Sequence, residues 1–180
     1  KDSSKYAIKR MLIEHKHPTM RLQKLTLAGF KSFAKSITFA FPAPVAAIVG
    51  PNGSGKSNVA EAIRWVLGEQ SLKTIRGKRG EDLIWHGSPR TPRLGRATVS
   101  LTIDNRDRRL PLDFTEVAVE RKIFRDGTSQ YFLNGSTVRL KDIIELLARL
   151  GLGETKHNII GQGEVDHILG ASARERREIL

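Results

Sequence analysis

The chain has no cysteine, which excludes disulfides, thiol nucleophiles and thiolate metal sites together. It has no apolar run near the roughly 20 residues that cross a bilayer. No charged segment followed by an apolar stretch and a small-residue cleavage site opens it. The cytoplasm is therefore the expected compartment, and membrane association has no supporting feature. Acidic residues are the minority, 19 Asp and Glu against 31 Lys and Arg, for a net charge of +12. Residues 73–109 alone carry ten basic side chains against four acidic ones. A basic surface gains affinity for polyanions through counterion release, so nucleic acid is the first partner to expect; for any single arginine, solvated surface charge is the alternative. Aromatic residues make up only 6% of the chain, and neither an aromatic-interleaved basic ladder nor a major-groove reading helix is evident. Contact with DNA is therefore expected at phosphates and indifferent to base sequence. Internal repeats and low-complexity segments are also missing.

What is present is a phosphate loop. Gly50-Pro51-Asn52-Gly53-Ser54-Gly55-Lys56-Ser57 has two glycines, a lysine and a serine at the spacing that wraps backbone around nucleotide phosphates. Residues 45–49 form a short apolar run, read as a buried strand entering the loop. After the loop, Val59, Ala62, Ile63, Val66 and Leu67 recur at three and four residues, the mark of a helix with one buried face that ends near Gly68. In such a unit, backbone N–H groups and the helix N-terminus face the phosphates. Lys56 is then expected at the β- and γ-phosphates and the Ser57 hydroxyl on Mg²⁺. The reading is a chain of α/β class that binds a nucleoside triphosphate.

Elsewhere the pattern is strand-rich. Leu25 and Leu27 alternate, as do Ile37, Phe39 and Phe41, predicting two antiparallel strands ahead of the loop. Val99, Leu101 and Ile103 alternate again, and residues 117–124 and 130–133 flank Asp126-Gly127, a hairpin signal. These strands are expected to form an antiparallel meander. Val99 to Asp104 superficially resembles an aspartate-ended strand of a magnesium site, but Asn105 follows instead of Glu and the alternation fits a half-solvated strand, so Asp104 is read as structural. Pro89 to Gly95 reads as an exposed loop. Leu140, Ile143, Ile144 and Leu147 mark a further helix closed by Gly151, and Ser172 and Glu175 have capping-box spacing for a last one. Residues 1–19 look foreign to the rest of the chain and are read as a tag, linker or non-native extension.

Several stretches together resemble a family. Arg21 to Leu27, Gly29-Phe30-Lys31-Ser32-Phe33, the phosphate loop with Asn58, the run Ile63-Arg64-Trp65-Val66-Leu67-Gly68-Glu69-Gln70, Arg76-Gly77, Tyr131-Phe132-Leu133-Asn134-Gly135 and Ile160-Gly161-Gln162-Gly163 are similar to the N-terminal head of structural maintenance of chromosomes (SMC) proteins. The bacterial condensin-type members are the nearest. The resemblance runs from Met20 to Leu180.

It implies a P-loop NTPase fold, the N-terminal lobe of an ABC-type ATPase head over residues 20–171, with residues 172–180 starting a coiled-coil arm. It implies ATP and Mg²⁺ as cofactors and a nucleotide contact set of Lys31, Ser32, Pro51, Asn52, Gly53, Ser54, Gly55, Lys56, Ser57 and Asn58. Gln162 matches the residue that contacts Mg²⁺ and the attacking water, and Arg76 the arginine that reaches the phosphates. The rival reading of Gln162, between two glycines, is a turn residue making local hydrogen bonds, and without the resemblance Arg76, among Lys73, Lys78 and Arg79, is simply a solvated cation. The implied partners are the C-terminal half of the same head, a second head in a homodimer, non-specific DNA and kleisin-type accessory subunits, in a nucleoid-associated protein. The chain carries no Leu-Ser-Gly-Gly-type signature and no Asp-Glu pair ending a buried strand, so it is expected to be half a head with negligible turnover alone. Two other readings stay open: the head of a related DNA-repair ATPase, and a non-catalytic, nucleotide-gated module that binds DNA or a partner.

Overall fold

The computed structural model describes residues 21–72, 75–150 and 152. Strand β1 (Arg21–Ala28) pairs antiparallel with β2 (Ile37–Ala40) on one side. On its other side lies β3 (Arg96–Asp104), followed by β4 (Glu116–Phe124), β5 (Ser129–Leu133) and β6 (Ser136–Val138). The result is one six-stranded sheet of order β2-β1-β3-β4-β5-β6 in which every pairing is antiparallel. The expected meander is β3 to β6.

Alternation in the strands fixes which face is buried, because successive side chains point to opposite sides. Leu25 and Leu27 lie opposite Leu101 and Val99, and Leu101 and Ile103 lie opposite Val119 and Val117. All of these side chains are fully buried. Helix α1 (Lys56–Val66) packs its Val59, Ala62, Trp65 and Val66 on this face, against β3 and β4. Phe30 and Trp65 are completely enclosed, with ring centroids 5.5 Å apart, and burying an apolar side chain of this size contributes about 1.5–3 kcal/mol. A 3₁₀ turn (Gly80–Leu83) packs on β4, and α2 (Leu140–Ala148) on β5.

Turn chemistry explains the connections. The β4–β5 hairpin turns at Asp126-Gly127, where Gly127 has φ 85° and the Asp126 carboxylate accepts from the Thr128 amide and hydroxyl at 2.9 and 2.7 Å. The tighter β5–β6 turn at Asn134-Gly135 has φ 47° and 81°, the two left-handed positions that a two-residue hairpin needs. Periodicity does not reveal strand β6, since three residues are too few to show alternation.

One expectation is corrected. Residues 45–49 form no strand, and Val45 and Val49 are 87% and 88% exposed. A strand needs a hydrogen-bonding neighbour, and among the described residues none lies beside this segment. Its apolar character is that of a strand, but the six-stranded sheet closes without it. The expected features at Gly151, Gln162 and residues 172–180 lie outside the described residues, as do residues 1–19.

Candidate nucleotide-binding site

The phosphate loop is shaped by two glycines. Gly53 has φ 80° and Gly55 φ 93°, both in the left-handed region where an L side chain is strained. Gly55 is the N-cap of α1, and no acidic residue occupies the first turn. The amides of that turn have no carbonyl four residues back, so they and the helix dipole form an anion-binding end. The Lys56 ammonium lies over the same loop, donating to the carbonyls of Gly50 and Pro51 at 2.7 Å each. Pro51 to Ser54 and Ser57 are exposed. A loop of amides with a lysine over it and no carboxylate in the first helical turn fits a nucleotide phosphate chain. The Ser57 hydroxyl fits a cation carried by those phosphates. Among the described residues no cluster of three or more His, Asp or Glu offers an independent metal site.

The segment after β1 closes on this loop. Phe33 N–H donates to the Phe30 carbonyl at 2.8 Å, forming a tight turn in which Lys31 takes φ 45°. The turn sets the Ser32 hydroxyl against the loop, where it accepts from Asn58 Nδ2 at 2.9 Å. A Cβ built on Gly55 would lie 2.5 Å from Ser32 Oγ and 3.0 Å from the Phe33 ring. Gly55 thus serves two needs, backbone conformation and close approach.

Lys31 and Arg76 meet through a residue that no motif singles out. Glu61, in α1 and only 6% exposed, accepts from Lys31 Nζ with one carboxylate oxygen and from Arg76 Nε with the other. Lys31 Nζ also donates to the carbonyl of Ile75. Glu61 stands four residues after Ser57, hence on the same side of the helix one turn further along. A carboxylate among Val59, Ala62, Val66 and other buried neighbours was the available signal.

The far end of α1 is tied by Arg121. On β4 it occupies the inward position between Val119 and Ile123 where alternation calls for an apolar residue, and it is 7% exposed. Its guanidinium donates to the carbonyls of Trp65 and Glu69 at 2.9 and 2.8 Å and stacks 4.5 Å from the Trp65 ring and 5.0 Å from that of Tyr131. Burial pushes its pKa below the ordinary arginine value. A cation on the last carbonyls complements the negative end of the helix. Gly68, at φ 110°, terminates α1 as expected.

Asp104 has a structural role. It ends β3 opposite Arg21, and hydrogen bonds from the Arg106 side chain and backbone hold its pKa down at about 2.

The model of the RecF/RecN/SMC N-terminal domain family matches residues 21–157. The chain belongs to this family. Within it the SMC proteins are the relatives, and the chain corresponds to the N-terminal part of their ATPase head. It is 54% identical over 160 residues to the chromosome partition protein Smc of Halothermothrix orenii, an alignment covering 89% of this chain and 14% of that protein. The chain therefore spans about one seventh of that relative's length. An SMC ATPase studied for ATP-driven dimerisation and DNA-stimulated activation superposes with a TM-score of 0.83 at 38% identity, over 88% of this chain and 96% of that one. The Smc head of Pyrococcus furiosus, solved with an extended coiled coil and bound to the C-terminal domain of ScpA, gives a TM-score of 0.82 at 38% identity. That match covers 89% of this chain and 41% of the other. The ABC-type P-loop fold expected from the sequence stands on these likenesses. Nucleotide binding follows from membership of an ATPase family. Among the described residues no helix is long and apolar enough to cross a membrane.

Proposed function

We propose that this chain forms the ATP–Mg²⁺-binding lobe of an SMC head that, with the C-terminal half of the head and a second head, hydrolyses ATP in chromosome condensation and segregation. The observation that carries the reading is the acid-free N-terminus of α1 with Lys56 over it, clasped by Ser32 and Asn58. Phosphoryl transfer depends on positioning and charge stabilisation, and the roles follow from what each group offers. Amides of Gly53, Gly55, Lys56 and Ser57 hold phosphate oxygens, while the Ser54 amide donates to the Pro51 carbonyl at 3.2 Å and braces the loop. Lys56 leaves the Gly50 and Pro51 carbonyls for the β- and γ-phosphates. Pro51, Asn52 and Ser54 shape the loop, while Lys31 and Ser32 border it from the β1 side and Asn58, in the first turn of α1, meets Ser32 across it. Ser57, and by the resemblance Gln162, would hold Mg²⁺, which would supply charge neutralisation to the phosphates. Arg76 adds a cation at the phosphates.

DNA is proposed as a partner through phosphate contacts. Arg90, Arg93 and Arg96 are exposed and enter no ion pair among the described residues, and no acid interrupts residues 83–103. A kleisin-type subunit is proposed by analogy with the ScpA-bound head, as is a nucleoid-associated, cytoplasmic location. The test is steady-state ATP turnover of this chain mixed with a matching C-terminal head half, with and without DNA, beside a Lys56→Ala variant. The expected result is turnover that requires both halves and is lost in the variant. Assembly and ATP binding without turnover would instead leave a nucleotide-gated binding module.

A further inference from the structure

We infer that Glu61 is a positioning residue for ATP hydrolysis, one that holds the Arg76 guanidinium by its Nε edge and so presents its terminal amino groups to phosphate. This rests on the reading, proposed above, that Arg76 acts at the phosphates.

Charge balance points to this role. A buried carboxylate requires a cation, and Lys31, whose side chain is 11% exposed, supplies it. A second cation is not needed for neutrality. Arg76 is nevertheless bound to the other oxygen while its side chain remains 57% exposed. Only Nε is engaged, and Nη1 and Nη2 have no partner among the described residues. A guanidinium gripped at Nε keeps its two outer N–H groups as a planar fork, the geometry that matches phosphate oxygens. Two cations on one carboxylate also leave a net positive charge at this edge of the site.

Backbone geometry adds to the argument. Both residues that meet Glu61 have left-handed backbones, Lys31 at φ 45° and Arg76 at φ 50°, a conformation that costs of order 1–3 kcal/mol and persists where the surroundings enforce it. Three contacts enforce it. Lys31 N–H donates to the Leu83 carbonyl at 2.9 Å, Lys31 Nζ reaches the Ile75 carbonyl, and Gly77 N–H donates to the Leu72 carbonyl at 2.8 Å. Glu61 therefore links three segments, the turn after β1, the helix behind the phosphate loop and the Arg76 loop. Because Glu61 sits one turn behind Ser57, the position of Arg76 is referenced to the same helix whose N-terminus takes the phosphates.

The test is a double-mutant cycle on ATP turnover by the full-length protein, comparing wild type, Glu61→Gln, Arg76→Ala and the two combined. A misplacement near 1 Å costs about 100-fold in rate. Glu61→Gln should accordingly lower kcat by about 10- to 100-fold, with KM for ATP changed less than about threefold. The combined variant should be no slower than Arg76→Ala alone, because a residue acting through Arg76 has nothing left to act through. A merely structural Glu61 would instead lower kcat by the same factor in both backgrounds. That multiplicative result, or unchanged kcat in Glu61→Gln while Arg76→Ala is slow, overturns the inference and leaves the Arg76 reading intact. Unchanged kcat in Arg76→Ala overturns the Arg76 reading itself. Should Glu61→Gln fail to fold, Glu61→Asp, which keeps Lys31 neutralised at shorter reach, runs through the same cycle with the same expected non-additivity.

Discussion

Gly53 and Gly55 look interchangeable in a glycine-rich loop, yet their surroundings predict different consequences for the same substitution. Both have left-handed φ, and an L residue there costs about 1–2 kcal/mol. At Gly53 nothing lies within 4 Å of a built Cβ, so Gly53→Ala should cost about that much and no more. At Gly55 the Cβ would meet Ser32 Oγ at 2.5 Å and the Phe33 ring at 3.0 Å. Relief requires Ser32 to move by several tenths of an ångström, which breaks its hydrogen bond from Asn58, a loss of about 1 kcal/mol. Moving Ser32 also drags Lys31 and its link to Glu61. Gly55→Ala should therefore lose about 2–3 kcal/mol, against about 1–2 for Gly53→Ala. Chemical denaturation of both variants measures the difference, and binding of a fluorescent ATP analogue reads the site. Gly55→Ala should lose nucleotide affinity more severely than Gly53→Ala, because it displaces the β1-side clasp as well as the loop. Equal stability losses, or a Gly55→Ala variant that binds as the wild type does, would refute the claim that the Phe30–Phe33 turn is pressed against the loop.

Arg121→Met should destabilise by about 2–4 kcal/mol, through the Glu69 carbonyl left without this donor, the Trp65 carbonyl reduced to its bond from Gly68 N–H, and the lost ring stacking. Arg121→Lys should recover only part of this, since an ammonium cannot reproduce the planar stacking on the Trp65 and Tyr131 rings, and thermal unfolding ranks the three proteins. In acid, Asp104 should matter. Its folded pKa of about 2 lies below the unfolded value near 3.8, so its contribution is fully present above about pH 4 and is lost as the pH falls through about 2. Unfolding midpoints from about pH 5 to about pH 2 should fall less steeply in Asp104→Asn than in wild type, and high salt should shrink that difference because Arg106 is largely exposed.

The phosphate loop, α1 and the hairpins were legible because each depends on local rules. The spacing of Gly53, Gly55, Lys56 and Ser57 needs no knowledge of the rest of the chain, and the alternation of Val99, Leu101 and Ile103 reports one buried face directly. Residues 45–49 show where local rules stop. Their apolar run carries the composition of a strand, but strand formation is decided by a neighbour, and the sheet of described residues provides none. Arg121 was readable in principle, since it interrupts the inward series of Val117, Val119 and Ile123. What the interruption meant depended on the carbonyls at the end of α1, more than 50 residues earlier in the chain. Glu61 was less readable still. Its partners are 30 residues before it and 15 after it, and neither separation is a sequence periodicity.

These misses share a cause that bears on how the site works. Helix α1 is gripped at three heights: Asn58 against Ser32 near its start, Glu61 against Lys31 and Arg76 in its middle, and the carbonyl of Trp65 by Arg121 near its end. Each grip is polar or charged, and each joins the helix to a different segment or a different part of one. Apolar packing of Val59, Ala62 and Val66 would hold the helix to the sheet but would permit small rotations and slides, because dispersion contacts have little directionality. Hydrogen bonds and ion pairs have narrow preferred geometries. Three of them along one helix fix its rotation and axial position, and with them the direction in which its first amides face. A phosphate site built from helix amides needs that fixity, since its donors are backbone groups that cannot reorient as side chains do. Loss of the middle grip should therefore disturb turnover before it disturbs folding, whereas loss of the Arg121 grip should disturb folding first.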